Sequence, residues 1–218
     1  MKKLLVIAAT LAAISSLKAQ EDVDFSVSLG YESSYVFRGF KLADESMTAS
    51  VEAAFGDAYL GMWTNQPIVK GFDNEFDFYG GMAFDLAEGL SAAFGGTLYY
   101  YPESGSGSDT FELFADFAFD TELSPGVAFY YDLDLEALTI EGYIGHSFEM
   151  DEKSSFDVAA FYGWVDGDGF DYSYYGASAD IVYSLGDTAS ASIGVRYSNG
   201  SDGPDDETWF GGSISTGW

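Results

Sequence analysis

In several segments of the chain, carboxylates fall on one parity, beside aromatic and aliphatic residues. In residues 110–120, TFELFADFAFD, the acids Glu112, Asp116 and Asp120 occupy even positions and apolar side chains occupy the odd ones. Carboxylates gathered on one face could attract cations, hold a hard metal ion, or serve as general acid and base. The elements that carry them decide which of these chemistries is available.

A period of two predicts β-strands that have one polar and one apolar face, and no segment keeps a helical period for long. About twelve segments show the pattern, and most are about 9 to 12 residues long, which suits a tilted strand crossing a bilayer. These segments are 23–38, 46–55, 58–64, 74–85, 90–101, 110–120, 127–134, 138–148, 155–165, 172–185, 189–198 and 207–218.

The connections alternate between short turns and mostly longer loops rich in Gly, Asp and Ser, as in an outer-membrane barrel. A soluble β-sandwich has the same period, but its strands are shorter, about 5 to 6 residues on average. The chain also ends on an aromatic strand, which resembles the assembly signal of bacterial outer-membrane proteins. Aromatic residues near strand ends suggest interfacial girdles: Tyr31, Trp63, Tyr99 to Tyr101, Trp164 and Trp209.

The predicted fold class is therefore all-β, an antiparallel transmembrane β-barrel of about 12 strands after an N-terminal signal peptide. Residues 1–19 have a basic start, an apolar run too short to span a bilayer comfortably, and a small residue, Ala19, at the expected cleavage site. Residues 20–218 would form the barrel in the bacterial outer membrane, with both termini periplasmic.

Composition excludes several classes of function. Lys and Arg total 8 against 36 Asp and Glu, for a formal charge of −28, which repels nucleic acid. Cleavage after Ala19 would remove three of the eight basic residues. The chain has no cysteine, so it has no disulfide, thiolate metal site or cysteine nucleophile. Aromatic residues make up 18 %, which argues against disorder.

Residues 33–55 resemble the start of the TorF family of porins, whose members carry an S-x-Y-hydrophobic-aromatic-R-G segment. Residues 75–86, EFDFYGGMAFDL, and 98–102, LYYYP, are also similar to that family. The resemblance implies an outer-membrane β-barrel with a pore function and names no solute. The matching positions of the first segment are Ser33, Tyr35, Val36, Phe37, Arg38 and Gly39.

Two arginines and ten acids are the candidate pore-lining residues. Each arginine is either a filter residue or a structural partner for lumen carboxylates. A wet acidic wall would favour cations, whereas a lumen filled by side chains would require pairing or protonation. By parity the candidates are Arg38, Glu52, Glu75, Asp77, Glu112, Asp116, Asp132, Asp134, Glu141, Asp157, Asp180 and Arg196.

Twelve strands predict a narrow bore, between the filled eight-stranded barrel and the wide porin of about 16 strands. We therefore expect a narrow passive channel that favours cations or small neutral solutes. Its partners would be outer-membrane lipid, small solutes or ions, and the outer-membrane assembly machinery, through the strand that ends at Trp218. A barrel without a pore, with a structural role, remains open as the alternative.

Metal binding and catalysis are less favoured. Residues 166–171 and 202–207 are rich in acidic oxygens but complete no EF-hand loop, and solvated loops explain them. No cofactor is expected. A Ser/His/acid hydrolase site could take its nucleophile from Ser147 or Ser178. The single histidine, His146, has the parity of the outward face, which argues against such a site. The chain is predicted not to be an enzyme.

Overall fold

A computed structural model describes residues 23–104, 107–201 and 206–218; the predicted signal peptide lies outside these ranges. Fourteen β-strands are described, and twelve of them form one closed antiparallel barrel. In chain order they are β1 (Asp24–Glu32), β2 (Tyr35–Phe37), β3 (Phe40–Ala43), β4 (Ser46–Phe55), β5 (Ala58–Pro67), β6 (Glu75–Ala87), β7 (Leu90–Tyr100), β8 (Thr110–Phe119), β9 (Gly126–Asp132), β10 (Ala137–Asp151), β11 (Ser154–Gly167), β12 (Phe170–Ser184), β13 (Ala189–Gly200) and β14 (Glu207–Gly217).

The first and last barrel strands close the wall. β1 pairs with β14 on one side and with β4 on the other, and the remaining strands pair in sequence order. The backbones of Phe25 and Trp218 exchange hydrogen bonds of 2.9 and 3.0 Å, so pairing continues to the last residue of the chain. The prediction of a barrel of about twelve strands is confirmed. In the described ranges, we find no helix long and apolar enough to cross a membrane.

Two predicted strands end earlier than expected. The first stops at Glu32, and the rest of that segment forms the β2–β3 hairpin. Arg38 and Gly39 form the tip of this hairpin with φ angles of 47° and 84°, as a type I′ turn requires. The alternating pattern runs on through this turn, so parity alone did not show the break.

The strand predicted over 127–134 ends at Asp132. Its Oδ1 atom accepts hydrogen bonds from the backbone N–H groups of Asp134 (2.8 Å) and Leu135 (2.9 Å), which turns the chain into the 133–136 connection. Asp134 therefore lies in a turn rather than on the inner wall, and its Oδ2 accepts a hydrogen bond from Phe111 N–H at 2.9 Å.

The two faces of the wall differ as the sequence predicts. Apolar side chains such as Leu29, Leu113 and Ile214 are exposed on the outside, where a bilayer would cover them. On the inner face, serine hydroxyls bond across neighbouring strands of the β13–β14–β1–β4 sector at 2.8 to 2.9 Å. We call this sector the hydroxyl wall; its bonded pairs are Ser28–Ser50, Ser190–Ser215 and Ser192–Ser213.

Only part of the predicted aromatic girdle faces outward. Tyr31 packs against Phe210 on the outer face, and Trp164 is also partly exposed there. Trp63 instead contacts Tyr35 of the hairpin inside the lumen, with ring centroids 5.4 Å apart. Tyr99 and Trp209 face inward, because each lies opposite an inner-face residue. Tyr101, just after β7, donates a hydrogen bond to the inner-face Glu75.

Several inward tyrosine rings lie flat over glycines of the adjacent strand. Tyr143 covers Gly126, and Tyr174 covers Gly163. A Cβ atom at either glycine would overlap the ring, so each ring rests against the wall only because its neighbour has no side chain. The glycines therefore determine how far these rings extend toward the barrel axis.

The assignment of strand residues to the lipid-facing side of the barrel can be tested. We expect Ile193→Arg, at the middle of β13 on the outer face and 63 % exposed, to lower the free energy of unfolding by about 2–4 kcal/mol, because the charge would lie in hydrocarbon. Thr208→Arg, on the outer face near the start of β14, should cost only about 0–1 kcal/mol. Urea unfolding in lipid vesicles measures both, and equal losses would contradict this orientation.

Candidate pore constriction

The β2–β3 hairpin lies inside the barrel and contacts opposite walls. Phe40 packs edge-on against Tyr172 of β12, with ring centroids 4.9 Å apart. Lys41 forms ion pairs with Glu207 of β14 at 2.6 Å and with Asp44 at 2.8 Å. Because Tyr35 reaches Trp63 of β5, the hairpin crosses the lumen and narrows it.

Arg38 anchors the tip of the hairpin to β8. Its Nη1 and Nη2 atoms donate to Glu112 Oε2 and Oε1 at 2.7 and 2.9 Å, in a bidentate pair. Tyr99 donates a third bond to Glu112 Oε1 at 3.0 Å, and the guanidinium lies 4.5 Å from the Tyr130 ring centroid. The Glu112 side chain is 3 % exposed, so this carboxylate depends on these donors.

The environment of Arg38 keeps it charged. Burial by itself disfavours the charged form, but the hydrogen bonds and the negative charge of Glu112 outweigh it and raise the pKa of Arg38 above its ordinary value. A pair that is buried and bidentate holds its geometry more firmly than an exposed ion pair would. The anchor is therefore a fixed element of the lumen.

Gly39 lets the hairpin tip approach the far wall. A Cβ atom there would lie 2.8 Å from Tyr174 Cβ and 3.1 Å from Gly200 Cα, and the positive φ already disfavours other residues. The Arg-Gly pair of the sequence motif thus combines two roles. Arginine binds β8, and glycine allows close contact with β12 and β13.

Hydroxyl donors bond to carboxylates along the β6–β12 sector, which we call the tyrosine–carboxylate wall. Tyr101 donates to Glu75 at 2.9 Å, and Ser147 donates to Asp157 at 2.6 Å. Tyr143 donates to Asp116, and Tyr174 to Glu141, each at 2.7 Å. These neutral donors stabilise carboxylates without cancelling their charge.

Arg196 also carries carboxylate partners. It lies 2.9 Å from Asp180 and 3.6 Å from Glu32, on the inner faces of β12 and β1. Both predicted lumen arginines therefore pair with carboxylates. Such pairing is what a structural partner of lumen carboxylates, rather than a free filter residue, would show.

The structure places most of the predicted lumen residues on the inner face of the strands. Arg38 lies in the lumen as well, but on the hairpin rather than on the wall, and Asp134 lies in the turn described above. The inner-face residues are Glu52, Glu75, Asp77, Glu112, Asp116, Asp132, Glu141, Asp157, Asp180 and Arg196. A role in conduction remains a prediction for all of them.

Sequence reasoning missed the tyrosine donors and the inward hairpin. Tyr101, Tyr143 and Tyr174 have the same parity as the carboxylates, which was a usable signal for the donors. The hairpin also had a sequence signal, since Arg38 and Gly39 form a two-residue turn between Phe37 and Phe40. Neither signal predicts that the hairpin folds inward.

His146 faces away from the hydroxyls of the lumen. Its Nδ1 lies 2.6 Å from the Glu122 carbonyl oxygen, and its ring contacts Phe148 on the outer side of β10. Ser147, the next residue, points inward and donates to Asp157. The adjacent histidine and serine therefore lie on opposite sides of the wall.

No protein-family model and no curated protein matches this chain, so membership of the TorF family remains a prediction.

Solved structures do match in fold. The KdgM porin has a TM-score of 0.62 at 11 % identity, over 88 % of this chain and 98 % of that one. KdgM in complex with disordered oligogalacturonate has a TM-score of 0.61 at 9 % identity, with the same coverage. The COG4313 outer membrane channel from Pseudomonas putida F1 has 0.59 at 8 % identity, over 93 % and 98 %. At these identities the likeness shows the fold alone, an outer-membrane barrel.

Removing the carboxylate of the anchor should release the hairpin. We expect Glu112→Gln to increase trypsin cleavage after Arg38 and Lys41, because leaving one member of a buried ion pair without its partner costs about 3–5 kcal/mol. Mass spectrometry of the fragments measures the cleavage, and cleavage after the exposed Lys70 serves as the internal reference.

The matched control is Asp157→Asn, which removes a lumen carboxylate bonded to Ser147 rather than to the hairpin. It should leave the protection of Arg38 and Lys41 unchanged. If both variants become equally sensitive, the ion pair with Glu112 does not hold the hairpin.

Proposed function

We propose that this protein is a narrow channel of the bacterial outer membrane that passes cations and small neutral solutes. One observation carries the proposal: a closed barrel whose charged inner-face residues are mostly carboxylates, with its lumen arginines already occupied by carboxylate partners. The fold points to the outer membrane, because closed twelve-stranded barrels with an apolar outer face are built for a bilayer.

The charge balance supports cation preference. The basic side chains described in the lumen are Arg38, Lys41 and Arg196, and each forms an ion pair. The inner-face carboxylates outnumber them, and many bond to neutral hydroxyls, which leave the negative charge in place. Low-dielectric walls lined by one sign of charge raise the local concentration of counter-ions.

The hairpin supports a limit on size. It crosses a bore that is already narrow for a barrel of twelve strands, with Arg38 bonded to one wall and Lys41 to another. What passes must move between the hairpin and the remaining wall. Small solutes satisfy that condition and folded or bulky polymers do not.

The charge pattern also argues against polyanions. KdgM has been solved with oligogalacturonate, an acidic oligosaccharide. In the part of this chain that the structure describes, the lumen arginines are occupied by Glu112 and Asp180. A polyanion would have to displace those partners while passing other carboxylates, so we propose that it is disfavoured here.

A pore-free structural barrel is the alternative, and the same hairpin favours it. Aromatic contacts and ion pairs fill the lumen around the tip, in particular those of Phe37, Phe40 and Arg38. Conductance decides between the two functions. A refolded barrel that resists protease but gives no current steps in a planar bilayer would support the structural role.

Ion selectivity tests the acidic lumen. Under a salt gradient we expect discrete current steps and a reversal potential directed toward cations. Glu52→Gln with Asp116→Asn should lower the cation-to-anion permeability ratio at least about twofold, because two charges leave the inner face.

Glu88→Gln with Asp187→Asn is the matched control, since it removes two carboxylates from exposed short turns. Its permeability ratio should remain that of the unmodified protein. An equal change in both double variants would mean that net charge, rather than the lumen wall, sets selectivity.

Solute choice tests the second part of the proposal. In liposome swelling, we expect a neutral hexose to enter faster than the corresponding uronate, because the uronate carries a negative charge into an acidic lumen. The difference should shrink in the Glu52→Gln, Asp116→Asn variant. Faster entry of the uronate would contradict the proposed cation and neutral-solute preference.

A further inference from the structure

A cluster of oxygen atoms lies on the inner wall between β5 and β6, outside the Arg38 anchor. Asn65 and Glu75 are direct cross-strand partners, and Asp77 follows on the same face of β6. The Glu75 and Asp77 carboxyl groups therefore project from the same face of one strand, two residues apart. Two carboxylates placed so close together and shielded from water repel each other unless a proton or a cation lies between them.

The amide of Asn65 distinguishes these possibilities. Asn65 is 1 % exposed, and its Oδ1 atom has no hydrogen-bond donor among the described residues. Asp77 Oδ1 is likewise buried and lacks a donor within the described ranges. A single proton shared by the carboxylates would leave the Asn65 oxygen unpaired, at the usual cost of a buried acceptor. A cation would satisfy all three groups together.

No basic side chain pairs with these carboxylates among the described residues. The ion pairs found there do not include Glu75 or Asp77, and Arg38 is bonded to Glu112. Tyr101 donates to Glu75 Oε1 at 2.9 Å, which fixes that carboxylate beside the amide. The local balance is therefore negative and the donors are hard oxygens.

The cluster opens toward the loop end of the barrel. Asn65, Glu75 and Tyr101 line a cavity of about 390 Å³ whose outer part is formed by loop residues including Phe72 and Asp73. An ion entering this cavity would meet Asn65 and Glu75 first, and Asp77 follows two residues further along β6. Among the described residues no three Asp, Glu, His or Cys side chains are grouped to hold a metal, so water would complete the coordination.

We propose that Asn65, Glu75 and Asp77 form a binding site for a divalent cation, with Ca²⁺ preferred over Mg²⁺. Carboxylates and amide carbonyls are Ca²⁺ ligands, and Ca²⁺ accepts irregular sets completed by water, whereas Mg²⁺ demands near-ideal octahedral geometry. Affinity should fall in the range of extracellular Ca²⁺ modules, about 0.1–1 mM. The site does not require the barrel to conduct.

Terbium luminescence tests the site in refolded barrel in detergent. Tb³⁺ bound there should be sensitised by Tyr101, Tyr35 and Trp63, and Ca²⁺ should displace it more effectively than Mg²⁺. Asp77→Asn and Asn65→Leu should each weaken Ca²⁺ competition by at least about tenfold, because affinity follows ligand charge and number. Asn65→Asp should strengthen it.

Asp157→Asn is the control, since it removes a lumen carboxylate outside the cluster and should leave Ca²⁺ competition unchanged. Heat-modifiable gel migration confirms that each variant is folded. If Ca²⁺ competes equally in the unmodified protein and in all cluster variants, the pair is bridged by a proton and the proposal fails. If Ca²⁺ binds at the cluster but the barrel passes no current, the proposed channel function is contradicted and the proposed cation site is supported.

Discussion

Hydrocarbon offers no hydrogen bond to a peptide group, and the whole wall of this protein follows from that constraint. Each barrel strand must find two partners, so the last strand returns to the first, and Phe25 meets Trp218 at the seam. Closure in turn imposes a single inside and a single outside on every strand. The alternation of apolar and acidic residues is the chemical consequence of that division.

Closure also creates the electrostatic problem that the interior solves. Carboxylates enclosed by a low-dielectric wall repel one another, and few basic residues are available to balance them. The structure uses two solutions. Arg38 and Arg196 neutralise Glu112 and Asp180 directly, while tyrosine hydroxyls bond to Glu75, Asp116 and Glu141 without removing charge. The first solution fixes the hairpin, and the second leaves the negative charge of the inner wall in place.

The sequence predicts the wall well because parity is a local property. Leu113 and Glu112 point to opposite sides wherever β8 sits in the barrel, so the face of each can be assigned without knowing its neighbours. The hairpin is different, because its inward path depends on the contact of Arg38 with Glu112, 74 residues away. A period of two carries no information about such contacts. It also assigned Asp134 to the inner wall wrongly, because hydrogen bonds to the Asp132 side chain turn the backbone there and end the strand.

The flat tyrosine rings have a consequence for the width of the bore. A ring that lies along the wall occupies little of the cross-section, whereas the same ring turned toward the axis would obstruct it. Gly126 and Gly163 therefore act as recesses into which Tyr143 and Tyr174 fold. The width of the bore therefore depends on the absence of a side chain at these two glycines, because a methyl group added at either position would push an aromatic ring toward the barrel axis.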